Sequence, residues 1–172
     1  MNTVVVVGIG ECQVSKDPQS SIVTYALGSC IAVIIYDSVA GVGGLLHFML
    51  PESSLDPAKA ERNPFQFADT GIPTLFRNAY QLGADKKRLK VTVAGGAQIM
   101  DPQGTFNIGK RNCLAMRKIL WKAGVLIQGE YLGGEVSRTV RLEIGTGKIL
   151  MREAGQPEKE LSQTAAGIEK GL

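Results

Sequence analysis

Two apolar runs joined by a short turn constrain this chain more than any other feature. Residues Ile31 to Tyr36 (IAVIIY) are rich in isoleucine and valine, and Val42 to Leu50 (VGGLLHFML) form a second run closed by Pro51. Between them stand Asp37-Ser38-Val39-Ala40-Gly41, residues that favour turns. β-Branched side chains crowd a helix and suit a pleated surface. The two runs are therefore predicted as adjacent buried strands of an antiparallel hairpin. A four-residue loop over 37–40 would set Tyr36 against Gly41 and place Cys30 directly opposite His47.

The remaining pattern is strand-rich. Val4 to Gly8, Ile22 to Thr24, Leu89 to Ala94, Leu126 to Leu132, Thr139 to Glu143 and Lys148 to Arg152 read as strands. Residues 52–63 are polar and loop-like. Apolar residues at helical spacing from Phe65 to Tyr80 predict a helix over 63–82, with Gly83 closing it and Pro73 kinking or breaking it. A second helix is predicted from about Gly109 to Ala123, with Asn107 near its N-cap and Gly124 past its end. Strands and helices do not alternate as a doubly wound sheet requires. The predicted fold is α+β: a mixed, largely antiparallel β-sandwich with helices packed on one face. Residues 1–153 are read as one domain. Residues 154–172 lose apolar periodicity and are read as a mobile tail.

A length of 172 residues suffices for a core without disulfides, and a net charge of +3 is mild. The short cluster Lys86-Lys87-Arg88 reads as a solvated loop, and no broad basic face with interleaved aromatics suggests nucleic-acid binding. Three cysteines, Cys12, Cys30 and Cys113, are too few and too scattered for a disulfide framework, which suits a reducing compartment. With one histidine and no CxxC motif, no metal site or cofactor is expected. No signal peptide and no run long enough to span a bilayer are seen, so the expected location is the cytoplasm, without membrane insertion.

Two phosphate-binding patterns are approached and missed. In VVVVGIGECQ the third glycine of a dinucleotide fingerprint is replaced by Gln13, and Pro18 spoils the helix that should follow. In GTFNIGKR, Gly104 to Arg111, an arginine stands where a P-loop needs serine or threonine. A turn feeding a helix is the simpler reading.

Cys30 and His47 carry the chemistry that remains. An ordinary thiol is only slightly ionised at neutral pH, so a cysteine nucleophile needs a base, most often histidine. His47 is the only histidine. Directly opposed residues on paired strands have Cβ atoms about 4.5–5.5 Å apart, a distance that suits a thiol–imidazole hydrogen bond. The preceding Gly28-Ser29 permits unusual backbone, which helps expose a nucleophile and aim its N–H at an oxyanion. The competing readings are an inert packing cysteine and a core histidine bonded to a carbonyl.

LGSC followed by an apolar strand and then HFMLP resembles the chemoreceptor glutamine deamidase CheD family of bacterial and archaeal chemotaxis. The likeness continues through Phe67-Ala68-Asp69-Thr70, Ala94-Gly95-Gly96-Ala97, Asn107 to Asn112 (NIGKRN), Gly133-Gly134 with Arg138, and Thr146-Gly147. The resemblance implies hydrolysis of glutamine side-chain amides on chemoreceptor cytoplasmic helices, with release of ammonia and no cofactor. It implies Cys30 as nucleophile, His47 as base and Thr24 as the third catalytic residue; the backbone N–H groups near Ser29 and Cys30 are candidates for the oxyanion site. It also implies a fold similar to the catalytic domain of cytotoxic necrotizing factor, and the phosphatase CheC as a partner. Two alternatives stay open: an interaction module that regulates CheC, with or without catalysis, and a receptor glutamate methylesterase using the same residues.

Overall fold

The computed structural model describes residues 2–99, 103 and 106–161. Gly104 and Thr105 of the near-P-loop pattern and residues 162–172 of the expected tail lie outside them. Ten strands and three α-helices are present among the described residues. The strands are β1 (Thr3–Val6), β2 (Glu11–Ser15), β3 (Ser20–Leu27), β4 (Ile31–Asp37), β5 (Val42–Phe48), β6 (Lys90–Gly95), β7 (Ile127–Leu132), β8 (Arg138–Glu143), β9 (Ile149–Glu153) and β10 (Lys159–Glu160). The helices are α1 (Pro57–Arg62), α2 (Ala68–Gln81) and α3 (Ile108–Lys122).

The strands form two five-stranded sheets. One has the order β1-β3-β8-β9-β10, the other β2-β5-β4-β6-β7. Only β1 with β3 and β6 with β7 run parallel. Strand β4 lies at the centre of its sheet, and every residue in it is buried. Its unbroken apolar run follows from being covered on both faces. Ile31, Val33 and Ile35 point to a core shared with α2 and α3, and Ala32, Ile34 and Tyr36 to a core between the sheets. Helices α2 and α3 thus cover one face of one sheet, and the expected α+β sandwich is the fold.

Four local expectations are corrected. The hairpin loop is 38–41, not 37–40: Asp37 pairs with Val42, and Ala32, not Cys30, lies opposite His47. Asp37 stays in the strand because its carboxylate accepts from the N–H groups of Val39 and Ala40, while Gly41, at φ +67°, closes the turn onto the Asp37 carbonyl. Residues 57–62, read as loop, form α1, capped by the Asp56 side chain with Pro57 at its start. Helix α2 continues through Pro73, so no break occurs there. The tail does not begin at 154. Residues 154–158 turn back to set β10 on β9, and Leu161 is buried in the core between the sheets. One leucine and a two-residue strand are too short to show periodicity.

Strand β2 also escaped the sequence reading. The turn after β1 leads into this edge strand, not into the helix that a dinucleotide fold would need. It matters for the site, because Glu11 pairs directly with His47 and the Gly10 N–H donates to the His47 carbonyl.

Candidate active site

Three segments from different parts of the chain meet at one end of the space between the sheets. His47 comes from β5, Thr24 from β3 in the facing sheet, and Cys30 from the residue just before β4. Side chains alternate along a strand. Leu45 faces the inter-sheet core, so His47 faces it too, two residues on. Cys30 has the parity of Ala32 and Ile34 and packs against the same core. The two-residue shift in register keeps Cys30 on the imidazole's face and makes it a diagonal neighbour of His47 instead of its opposite.

The Thr24 hydroxyl fixes the imidazole. It lies 2.8 Å from His47 Nδ1 and donates to the Val7 carbonyl at 2.6 Å. A hydroxyl has one proton to give. With that proton on Val7, the oxygen accepts, and Nδ1 must carry hydrogen. In neutral His47 the lone pair is therefore on Nε2. This nitrogen is buried and has no partner among the described residues. The expected thiol–imidazole hydrogen bond is not made in this resting arrangement.

Burial sets the charges. His47 is 3% exposed, and loss of water pushes its pKa down to about 4, against an upward pull from the Glu11 carboxylate. Burial also raises the Cys30 thiol, offset in part by its own backbone N–H. At neutral pH His47 is therefore a neutral imidazole and Cys30 a neutral thiol. The other cysteines belong elsewhere. Cys12 and Cys113 pack in the core under the helices, on the far side of the sheet from His47, and burial drives Cys12 up to about 12.

The chain into Cys30 is held carbonyl by carbonyl. The Gly28 carbonyl accepts from Ala97 N–H at 2.8 Å and the Cys30 carbonyl from Gly96 N–H at 3.0 Å. The Ser29 carbonyl accepts from the Asn112 side chain at 2.9 Å. A Cβ at Gly95 would sit 2.1 Å from the Cys30 oxygen, and Gly95 has φ +114°, so only glycine fits there. The N–H groups of Ser29 and Cys30 meet no oxygen acceptor among the described residues. Upstream, β3 slips register between Thr24 and Leu27, and Ala26 takes φ +53°, a conformation that costs a non-glycine residue on the order of 1–3 kcal/mol. This bulge turns the chain from Thr24 towards the Gly28-Ser29-Cys30 loop.

The family model for CheD, described as CheD chemotactic sensory transduction, matches residues 49–153. The chain belongs to the CheD family. A protein of Solibacter usitatus named "Probable chemoreceptor glutamine deamidase CheD" is 55% identical over 157 residues, 91% of this chain and 92% of the relative. The "Chemoreceptor glutamine deamidase CheD" of Thermotoga maritima is 42% identical over 154 residues, 90% of this chain and 94% of the relative. A solved Neisseria meningitidis protein, NMB0706, covers 77% of this chain and 63% of its own at 12% identity and a TM-score of 0.45, a likeness too slight to bear on fold or activity. Three of the CheD blocks picked out in the sequence come together: Gly95-Gly96 and Asn112 both grip the Cys30 loop, and Arg138 donates to the Gly133 carbonyl, whose own N–H donates to the Gly95 carbonyl. Sequence reasoning did not assign Asn112 a part. Its only signal was its place at the end of the NIGKRN block. Among the described residues no cluster of His, Cys, Asp or Glu is placed to hold a metal.

Proposed function

We propose that this chain is a chemoreceptor glutamine deamidase whose nucleophile is Cys30, whose general base is His47 and whose base-orienting residue is Thr24. Membership of the CheD family supports the reaction class. The observation that carries the residue roles is the Thr24 hydrogen bonding, which leaves the His47 lone pair on Nε2, on the face that Cys30 shares.

The steps balance as follows. His47 Nε2 takes the thiol proton while Cys30 Sγ attacks the carboxamide carbon. The oxyanion of the tetrahedral intermediate accepts from the Ser29 and Cys30 N–H groups. Imidazolium Nε2–H gives its proton to the departing nitrogen, and ammonia leaves a thioester. Water, deprotonated by His47, attacks that thioester, and glutamate and the free thiol result. Thr24 offers His47 a neutral acceptor, weaker than the carboxylate of a Ser-His-Asp triad. The buried imidazole is a weak base, and its strength rises through the Glu11 charge and the Nδ1–H bond.

The test is mass spectrometry of purified receptor cytoplasmic domain incubated with the protein. A gain of about 1 Da at a glutamine, absent with Cys30→Ala, is the expected result; an unaltered receptor would overturn the assignment. The same residues would cleave a methyl ester, because both reactions are acyl transfers to a thiol, and loss of methyl from a receptor glutamate would reveal it. Cytoplasmic location and a CheC-type phosphatase as regulator complete the proposal on family grounds. No helix of the described residues is long and apolar enough to cross a membrane. Calorimetric titration with a CheC protein checks the partner: no heat at micromolar concentrations would remove it.

A further inference from the structure

Asn112 is fully buried on the inward face of α3. Its Nδ2 donates to the Ser29 carbonyl and to the Met49 carbonyl, each at 2.9 Å. One amide nitrogen thus ties the residue before Cys30 to the residue two past His47. Both partners are carbonyls, so the nitrogen end of the amide is fixed towards them. Oδ1, turned the other way, meets no donor among the described residues. A buried acceptor left unpaired is costly, and what the amide supplies in return is its nitrogen's two bonds to the carbonyls of Ser29 and Met49.

We propose that Asn112 is a positioning residue that aims the Cys30 N–H at the reacting carbonyl oxygen. The proposal rests on the reading of Cys30 as nucleophile. The Ser29 carbonyl and the Cys30 N–H belong to one planar trans peptide unit and point in opposite directions. Holding the oxygen towards α3 therefore turns the N–H away from α3. The carbonyls on either side are held by main-chain N–H groups of Ala97 and Gly96. Ser29 alone of the three is held by a side chain, so of these three peptide units a substitution at Asn112 releases only this one. The second bond, to Met49, keeps the end of β5 in step with the loop when the peptide is loaded.

The experiment uses the full chain with Asn112→Leu, close in volume and without a donor, and compares two reactions of Cys30. Deamidation of purified receptor passes through an oxyanion. Alkylation by iodoacetamide is a displacement at carbon and forms none. The expected result is a fall in kcat of about 10- to 100-fold, less than loss of a rigid oxyanion donor (about 10²–10³) because the N–H is misaimed, not removed. KM for receptor and the alkylation rate of Cys30 should stay within about twofold of wild type. An unchanged kcat overturns the proposal, as does alkylation that falls in step with kcat, which would make Asn112 a packing residue of the loop. Asn112→Ala serves if the leucine variant does not fold, and failure of both to fold also overturns it. Cys30→Ala, run in parallel, separates the two ideas: activity retained there defeats the nucleophile reading, independently of what the Asn112 variants do.

Discussion

The β4–β5 hairpin has a buried polar residue near each end, and the two are treated in opposite ways. At the turn, Asp37 is wholly buried, and its carboxylate accepts from the N–H groups of Val39, Ala40 and Asp85 and from the Arg88 guanidinium, which also pairs with it at 3.0 Å. Burial alone would raise its pKa, but these donors hold it at about 2. At the open end, His47 is also buried, yet only Nδ1 is bonded, and among the described residues Nε2 has no partner and the N–H groups of Ser29 and Cys30 meet no oxygen acceptor. A buried polar group with every bond made fixes a turn. A buried polar group with bonds left over has capacity for a substrate. The same two strands supply both because a hairpin places its termini side by side and its turn far away.

The comparison predicts separable losses. Cys30→Ala should lower deamidation by at least about 10³-fold while shifting Tm by no more than roughly 2 °C, since a half-buried thiol is nearly replaced by a methyl group. Steady-state rates on receptor, with a thermal melt, check both. Folded Cys30→Ala at near wild-type rate would break the contrast at its functional end. Asp37→Ala should do the reverse, costing about 1–3 kcal/mol of stability by leaving the buried N–H donors without their acceptor, with the rate per folded molecule within about twofold of wild type. Urea unfolding measures this, and a cost under about 1 kcal/mol would show that the turn does not depend on the carboxylate.

Thr24→Val keeps the shape at the open end and deletes the acceptor for Nδ1–H. The lost hydrogen bond, about 0.5–1.5 kcal/mol, plus free choice of tautomer should lower the rate roughly 10- to 100-fold. Thr24→Ser should restore most of it, and a fully active valine variant would return Thr24 to packing. The smallest effects are in pH. The pKa of His47 is about 4 in the folded chain against 6.5 for an ordinary histidine, so kcat/KM should hold down to about pH 5 and fall with a midpoint near 4. A midpoint near 6.5 would contradict the burial of the base. Stability follows the same sign. Between about pH 6.5 and 4 the unfolded chain binds the proton that folded His47 refuses, so stability is full above that window and declines through it as pH falls. His47→Gln should flatten the decline in Tm. Glu11→Gln removes a charge that raises the His47 pKa, and the acid limb should move to slightly lower pH.

Much of the scaffold was legible because burial writes itself into composition. The run IAVIIY announced a strand covered on both faces, and the spacing from Phe65 to Tyr80 announced α2. Elements without a buried stripe were not legible: α1 has no buried residue, β2 is an edge strand, and β10 is two residues long. In the candidate site, the hairpin reading placed Cys30 opposite His47 and was wrong by two residues, because Asp37 caps the turn from within the strand. The face was nevertheless right, since an even shift preserves the pleat.

By itself, then, the sequence determined the layers, the hairpin, and the presence of a lone histidine and a thiol on one face of one sheet, because these depend on side-chain period and on residue type. Thr24 was named through resemblance to the CheD family, without a physical reason in the chain. Only the tertiary structure decided that Thr24 reaches His47 from the facing sheet, that the Val7 carbonyl takes the hydroxyl proton and so puts the imidazole lone pair on Nε2, and that Asn112, distant in sequence, holds the peptide before Cys30. Such hydrogen bonds join residues with no fixed separation along the chain. They exist only once the two sheets and α3 have packed, and no local pattern of residues encodes them.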